Sequence, residues 1–361
     1  MPIIIDAHED LAWNILALNR DYTRSAAETR RIEAGEQNVA HNGNTLLGWD
    51  DYQRGRVAVV FTTLFATPQR KKIGEWDSQA YKDFNEAHHL YRSQLDTYHR
   101  LADKHSDKFR LILDTKDLDE VLTHWAGEQK EHPVGMLVLM EGAEGVRKPS
   151  ELDEWWSNGV RIIGPAWTGT RFCGGTHEPG PLTEDGRALL AGMAEIGMTL
   201  DISHMDELAA RQALDDYPGP IIVSHANAAS LLENYSGNRM LSDDVIRKTI
   251  ERNGIIGAMP ILPFLKNGWV PTESREGLTL ESLFVAQIDH ICQLAGDAQH
   301  VGIGTDFDGG FGVECAPADV DTIADLQKFE SILTSRGYSN SDVEAIMGKN
   351  WQRHLMENLP S

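Results

Sequence analysis

The chain has 361 residues and a formal net charge of −22, from 33 Lys+Arg against 55 Asp+Glu, a balance that argues against nucleic acid or an anionic membrane as partner. Its three cysteines, Cys173, Cys292 and Cys315, form no C-x-x-C, so neither a disulfide framework nor a thiolate metal site is expected and a reducing compartment fits. No apolar run approaches the roughly 18 residues of a membrane span, and the N-terminus opens on a core-like strand without room for a signal peptide, so the expected location is the cytoplasm.

Apolar, β-branched runs recur along the chain, each followed by a longer segment able to supply a helix. In order they are Pro2–Ile5, Val57–Phe65, Met136–Met140, Val160–Pro165, Met198–Ile202, Pro220–Val223, Gly254–Met259 and His300–Ile303. Near-continuous apolarity implies burial on both faces, as in parallel strands. Eight such βα units predict a closed (β/α)8 TIM-type barrel, although periodicity does not distinguish closure from an open sheet. The polar, partly basic segment 19–54 lacks clear periodicity and is expected to connect the first two strands, with a helix and a flap over the barrel mouth. Thr183 opens a helix that Gly197 stops, Ser242-Asp243-Asp244 starts another, and Asn340-Ser341-Asp342 starts the last. No repeat, low-complexity tract or linker divides the chain, and a barrel runs to this length as one unit, so residues 1–361 are expected to form one catalytic domain.

In such a barrel the chemistry sits at the carboxyl ends of the strands. The first strand leads into Asp6, His8 and Asp10; residues two apart in a strand point the same way, so His8 and Asp10 can address one point. The pattern alone is weak. Chance gives about two His-x-acid pairs in this composition, and the chain holds His8/Asp10, His105/Asp107 and His204/Asp206. His105 lies in a charged helical stretch and reads as solvated surface. Strand ends elsewhere supply Glu141, His204, His225 and Asp306. Three histidines and three carboxylates at the ends of apolar strands are hard to explain as packing, since burying them unpaired costs several kcal/mol each. Nitrogen and oxygen donors without thiolate suit zinc, with manganese, cobalt or iron as alternatives. Two ions fit the number of donors better than one, with a carboxylate between them.

The stretches DAHED, MEGAEG, GVRIIGPAW, LTEDGRALL, MTLDISH, PIIVSHANA and QIDHICQLAGDAQHVGIGTDFDGG together resemble the membrane dipeptidase (renal dipeptidase) family of amidohydrolase-like barrels, in order from residue 3 to about 355. The resemblance implies a dinuclear zinc centre that hydrolyses dipeptides, often with a D-residue at the carboxyl end. It implies His8, Asp10 and Glu141 as ligands of one zinc, and Glu141, His204 and His225 as ligands of the other. Asp306 matches the carboxylate that orients the attacking hydroxide and passes its proton to the leaving amine. Arg239 matches an arginine that pairs with the substrate carboxylate, a task suited to a planar two-pronged donor. The family also implies a homodimer.

Three positions depart from the family pattern. Trp167 stands where a histidine usually polarises the scissile carbonyl, Glu9 where the family has Asn, and Met240 where Asn follows the arginine. Trp offers a single N–H and more bulk, and loss of an oxyanion donor is worth about 3 kcal/mol in a transition state. The alternatives to a dipeptidase are therefore a hydrolase of another small amide, lactam or N-acyl amino acid, and a non-catalytic metal-dependent binding relative. Cys173, with His177 four residues on, is a weaker candidate nucleophile; His177 is also a candidate to replace the missing histidine. Gly302-Ile303-Gly304 lacks the rest of a dinucleotide fingerprint, His290 and His300 read as structural, and Trp155, Trp156 and Trp269 as core or interface.

Overall fold

The computed structural model describes residues 1–361. Its main sheet is a ring of parallel strands: β1 (Ile4–Glu9), β2 (Val57–Leu64), β3 (Val134–Glu141), β4 (Val160–Gly164), β5 (Thr199–Asp201), β6 (Ile221–Ile222), β7 (Ile256–Ala258) and β8 (Val301–Ile303). Each pairs with its neighbour in chain order from β1 to β6 and from β7 to β8, and β8 returns to β1 through Asp6 opposite Ile303. The remaining gap is bridged just beyond β6. Val223 pairs in parallel with Ile256; its N–H donates to the Ile255 carbonyl (2.9 Å) and its carbonyl accepts from Gly257 N–H (2.8 Å). The (β/α)8 barrel expected from the recurring apolar runs is the fold observed.

Every residue of β1, β2 and β3 is buried, as a strand covered by helices outside and by side chains inside must be. One core of 97 buried residues runs through the barrel and its helices. Gly257 and Gly304 let the strands close: a β-carbon on either would lie 1.9 Å from the Ser224 carbonyl oxygen, an approach only glycine permits.

β1 begins later and runs further than its isoleucines imply. Its ladder to β2 continues through Asp6 and Glu9, because the tertiary structure supplies partners for these polar groups. Asp6 accepts from the backbone N–H (2.7 Å) and hydroxyl (2.5 Å) of Thr305. Glu9 accepts from the Tyr52 hydroxyl (2.5 Å). An unforeseen strand, Phe109–Leu111, pairs with the first half of β3, leaving the second half to β4. The helix Glu184–Ile196 starts and stops at Thr183 and Gly197, as expected. Ser242 likewise caps Asp243–Glu251. The last helical run starts one residue earlier than expected, with Ser339 as its cap.

Segment 19–54 contains helices Ala26–Glu33, Gln37–Asn42 and Trp49–Gly55. It is not a flap. Buried Asp308 beyond β8 holds it to the side, accepting from Leu46 N–H (2.9 Å) and the Tyr22 hydroxyl (2.9 Å) and pairing with Arg20 (3.3 Å). None of its residues lines the cavity at the barrel mouth; Thr67, Lys71 and Ile73, after β2, line it instead. No helix is long and apolar enough to cross a membrane.

Candidate metal centre and substrate cavity

Local backbone brings the six strand-end residues to one rim. His8 lies in β1, and Asp10 is the residue before helix Leu11–Leu18. Glu141 is the last residue of β3, while His204, His225 and Asp306 each sit three residues beyond β5, β6 and β8. His204 (φ 63°) and Asp306 (φ 57°) adopt the left-handed conformation, a strain of order 1–3 kcal/mol that clusters at functional sites.

Glu141 is the centre of the arrangement. Its Oε1 lies 3.2 Å from His204 Nε2, 3.6 Å from His225 Nε2 and 3.9 Å from His8 Nε2, and it is buried without a hydrogen-bond partner. His8 Nε2 also stands 3.8 Å from Asp10 Oδ2 and 3.8 Å from Asp306 Oδ1. His204 and His225 bring their Nε2 atoms within 2.9 Å of each other. The donor atoms fall into overlapping groups, His8–Asp10–Glu141, Glu141–His204–His225 and His8–His225–Asp306. An orphaned carboxylate oxygen facing three imidazole nitrogens fits divalent metal, for which nitrogen and oxygen donors without sulfur are the expected set.

Surrounding hydroxyls orient these donors. Ser224 donates its proton to Asp201 Oδ2 (2.5 Å), so at 2.8 Å from His225 Nδ1 it accepts from that nitrogen. The Nε2 lone pair of His225 is thereby turned to Glu141. Thr176 Oγ1 contacts His204 Nδ1 at 2.9 Å, and Thr63 donates to Asp10. Burial dominates the electrostatics. It pushes the Glu141 carboxyl well above its usual range and Asp306 up to about 7, against the pull of His8. Burial also lowers His204 and His225. At His8 burial opposes the charged form, but Glu141, Asp10 and Asp306 overcome it and raise the imidazole to about 10.

A cavity of about 460 Å³ opens onto these residues. Arg239 enters it from the loop after β6, buried, with Nη2 donating to the His225 carbonyl (2.9 Å) while Nε and Nη1 have no partner. The guanidinium lies 5.7 Å from the Phe264 ring centroid. Buried donors left free are costly unless an anion completes them. Trp167, three residues beyond β4, lines the cavity with its ring 6.4 Å from His204 and 5.0 Å from Phe65. Met240 lines it too, whereas Glu9 is buried against Tyr52 and outside it.

Other candidates separate clearly. Cys173 is 1% exposed and burial pushes its thiol up to about 12, the reverse of an activated nucleophile. His177, next to it in the hairpin Cys173–Leu182, is exposed and lines the cavity mouth. His290 pairs with Asp243 (2.8 Å) and His300 with the Gly254 carbonyl (3.0 Å). Sequence reasoning missed the orienting hydroxyls. A signal existed in Ser224, which immediately precedes His225; nothing local marks Thr63 or Thr176, and Ser203, which precedes His204, bonds Asp201 instead.

The profile of the membrane dipeptidase family, peptidase family M19, matches residues 1–358. The dipeptidase tcpJ of Claviceps purpurea is 27% identical over 334 residues, covering 86% of this chain and 70% of that protein. The dipeptidase verJ of Clonostachys rogersoniana is 26% identical over 360 residues, covering 96% and 82%. The crystal structure of a metallo peptidase from Rhodobacter sphaeroides, liganded with a phosphinate mimic of the dipeptide L-Ala-D-Ala, superposes with a TM-score of 0.77 at 20% identity, covering 99% of this chain and all of that one. The match over nearly the whole chain makes this protein a member of the membrane dipeptidase family of metal-dependent hydrolases.

Proposed function

We propose that the protein hydrolyses dipeptides, L-L and L-D, with two divalent ions, zinc foremost, held by His8, Asp10, Glu141, His204 and His225. The observation that carries this reading is the buried, unpartnered Glu141 Oε1 within 3.9 Å of three imidazole nitrogens, beside a buried guanidinium with two free donor atoms. Glu141 would be shared by both ions. When bound, such ions polarise a carbonyl and lower the pKa of a coordinated water.

The remaining work falls to side chains. Arg239 would hold the substrate carboxylate through Nε and Nη1, fixing the leaving residue over the loops after β6 and β7. Asp306 would take a proton on its carboxylate at the rim and return it to the leaving amine. Trp167 would wall off the position where the family's oxyanion histidine is expected, excluding water from one side of the scissile bond. The single core supports one catalytic domain over 1–361. The acidic net charge and thiols without disulfides support a cytoplasmic enzyme without nucleic-acid or membrane partners; a homodimer rests on the family alone.

Amino-acid release from a panel of L-L and L-D dipeptides, by zinc-reconstituted protein with a chelated control, tests the reading. Chelator-sensitive release is expected. Metal-loaded protein that releases nothing from any dipeptide would sink it, and cleavage of N-acyl amino acids alone would select the other amide reading, which Trp167 favours by altering the carbonyl side of the cavity.

A further inference from the structure

The cavity has two unlike halves. Arg239 and Phe264 come from loops after β6 and β7, whereas Trp13, Phe65 and Trp167 follow β1, β2 and β4 on the opposite side of the barrel. With a substrate carboxylate on Arg239 and the scissile carbonyl at Glu141, the acyl half must extend over the β1–β4 side. We infer that this half of the substrate is a large apolar residue, aromatic or branched aliphatic, seated on Trp13, Phe65 and Trp167. The inference rests on the dipeptidase reading and names its substrate class.

Three observations support it. The aromatic wall does not belong to the barrel core: Trp13, Leu18 and Phe65 form a separate cluster, with Trp76 and Trp167 packed against it. The wall is also held rigid. Trp76 stands edge-on to Trp13 (5.8 Å, 78°) and stacks on His41 (4.4 Å, 6°). Gln94 clamps the Phe65 backbone at both ends, accepting from its N–H (2.8 Å) and donating to its carbonyl (2.5 Å). Finally, Ile73, 65% exposed, lines the same cavity. A preformed aromatic surface with an exposed aliphatic residue in the same cavity favours an apolar ligand that covers both.

The experiment compares kcat/KM of the metal-reconstituted full chain on Gly-Ala, Ala-Ala, Leu-Ala and Phe-Ala. A rise of about a hundredfold from Gly-Ala to Phe-Ala is expected, the scale of discrimination that an apolar pocket delivers over several carbons. Cleavage of all four at similar rates, or fastest with glycine, would overturn the inference and leave the dipeptidase reading standing; no cleavage of any, with either L-Ala or D-Ala at the carboxyl end, would overturn both. In Phe65→Ala and Trp13→Ala, checked for retained metal content, the Phe-Ala to Gly-Ala ratio should fall at least about tenfold. An unchanged ratio in the metal-retaining variants would remove the wall from the pocket. If neither variant folds, the wild-type series decides alone.

Discussion

Asp306 combines a left-handed backbone (φ 57°), nearly complete burial and a position 3.8 Å from His8 Nε2. The strained backbone and the burial are costly for a carboxylate, the nearby imidazole offsets part of that cost, and together they aim it at the rim rather than into packing. Asp306→Asn keeps the shape and removes the proton acceptor, so kcat should fall by about 10²–10⁴ with metal content unchanged. Metal analysis beside steady-state kinetics checks this: an unchanged kcat would end the proton-transfer role, and a parallel loss of metal would recast Asp306 as a ligand. Ser224 acts one atom further out. Because its hydroxyl proton is committed to Asp201, Ser224→Ala frees the His225 ring to adopt the wrong tautomer, and metal affinity should weaken by about 10–100-fold. Chelator competition measures this without turnover; an affinity within about twofold of wild type would show that Ser224 does not orient the ring.

Among the elements, the short strands β5 to β8 depend most on tertiary support. β6 has two residues, and the ring closes only through the bridge beyond it, where Gly257 and Gly304 crowd the Ser224 carbonyl. Gly304→Ala should therefore push away Ser224 and with it the adjoining His225. A destabilisation of about 1–3 kcal/mol is expected, read as a lower Tm accompanied by weaker metal retention. Wild-type Tm and metal content in that variant would mean that the backbone relaxes freely there. The helix boundaries at Thr183 and Ser242 were legible because a cap is a local hydrogen bond, from Gly186 N–H to Thr183 (3.0 Å) in the first case. The extent of β1 was not, since the partners of Asp6 and Glu9, namely Thr305 and Tyr52, are remote in sequence. The flap expectation for 19–54 failed for the same reason: Asp308, far along the chain, decides where that segment lies.

At the scale of the whole molecule, stability should depend on pH through His354 in the last helix. It is 5% exposed, its Nε2 has no partner, and burial, with Arg353 adding, depresses it to about 4. Unfolding would return it to an ordinary pKa of about 6.5, so the unfolded chain binds the proton first as pH falls. Neutral His354 therefore contributes its full share above about pH 6.5, and that share is lost progressively down to about pH 4, at most about 3 kcal/mol. His354→Leu should narrow the gap in Tm between pH 7 and pH 4.5; an equal gap in wild type and variant would locate the acid sensitivity elsewhere.

The chain by itself determined the class of fold and the identity of the metal-site candidates. Eight apolar runs can satisfy their backbones and bury both faces only as parallel strands under helices, and the polar residues placed just after them have few uses in a core. Tertiary structure alone decided the rest. Closure across Val223 and Ile256, the contacts of Thr176 with His204 and of Ser224 with Asp201 that set imidazole tautomers, and the aromatic wall of Trp13, Phe65 and Trp167 all join residues from separate βα units. Such groups carry no common spacing in the sequence, because the barrel brings their strand ends together only after every intervening helix has packed.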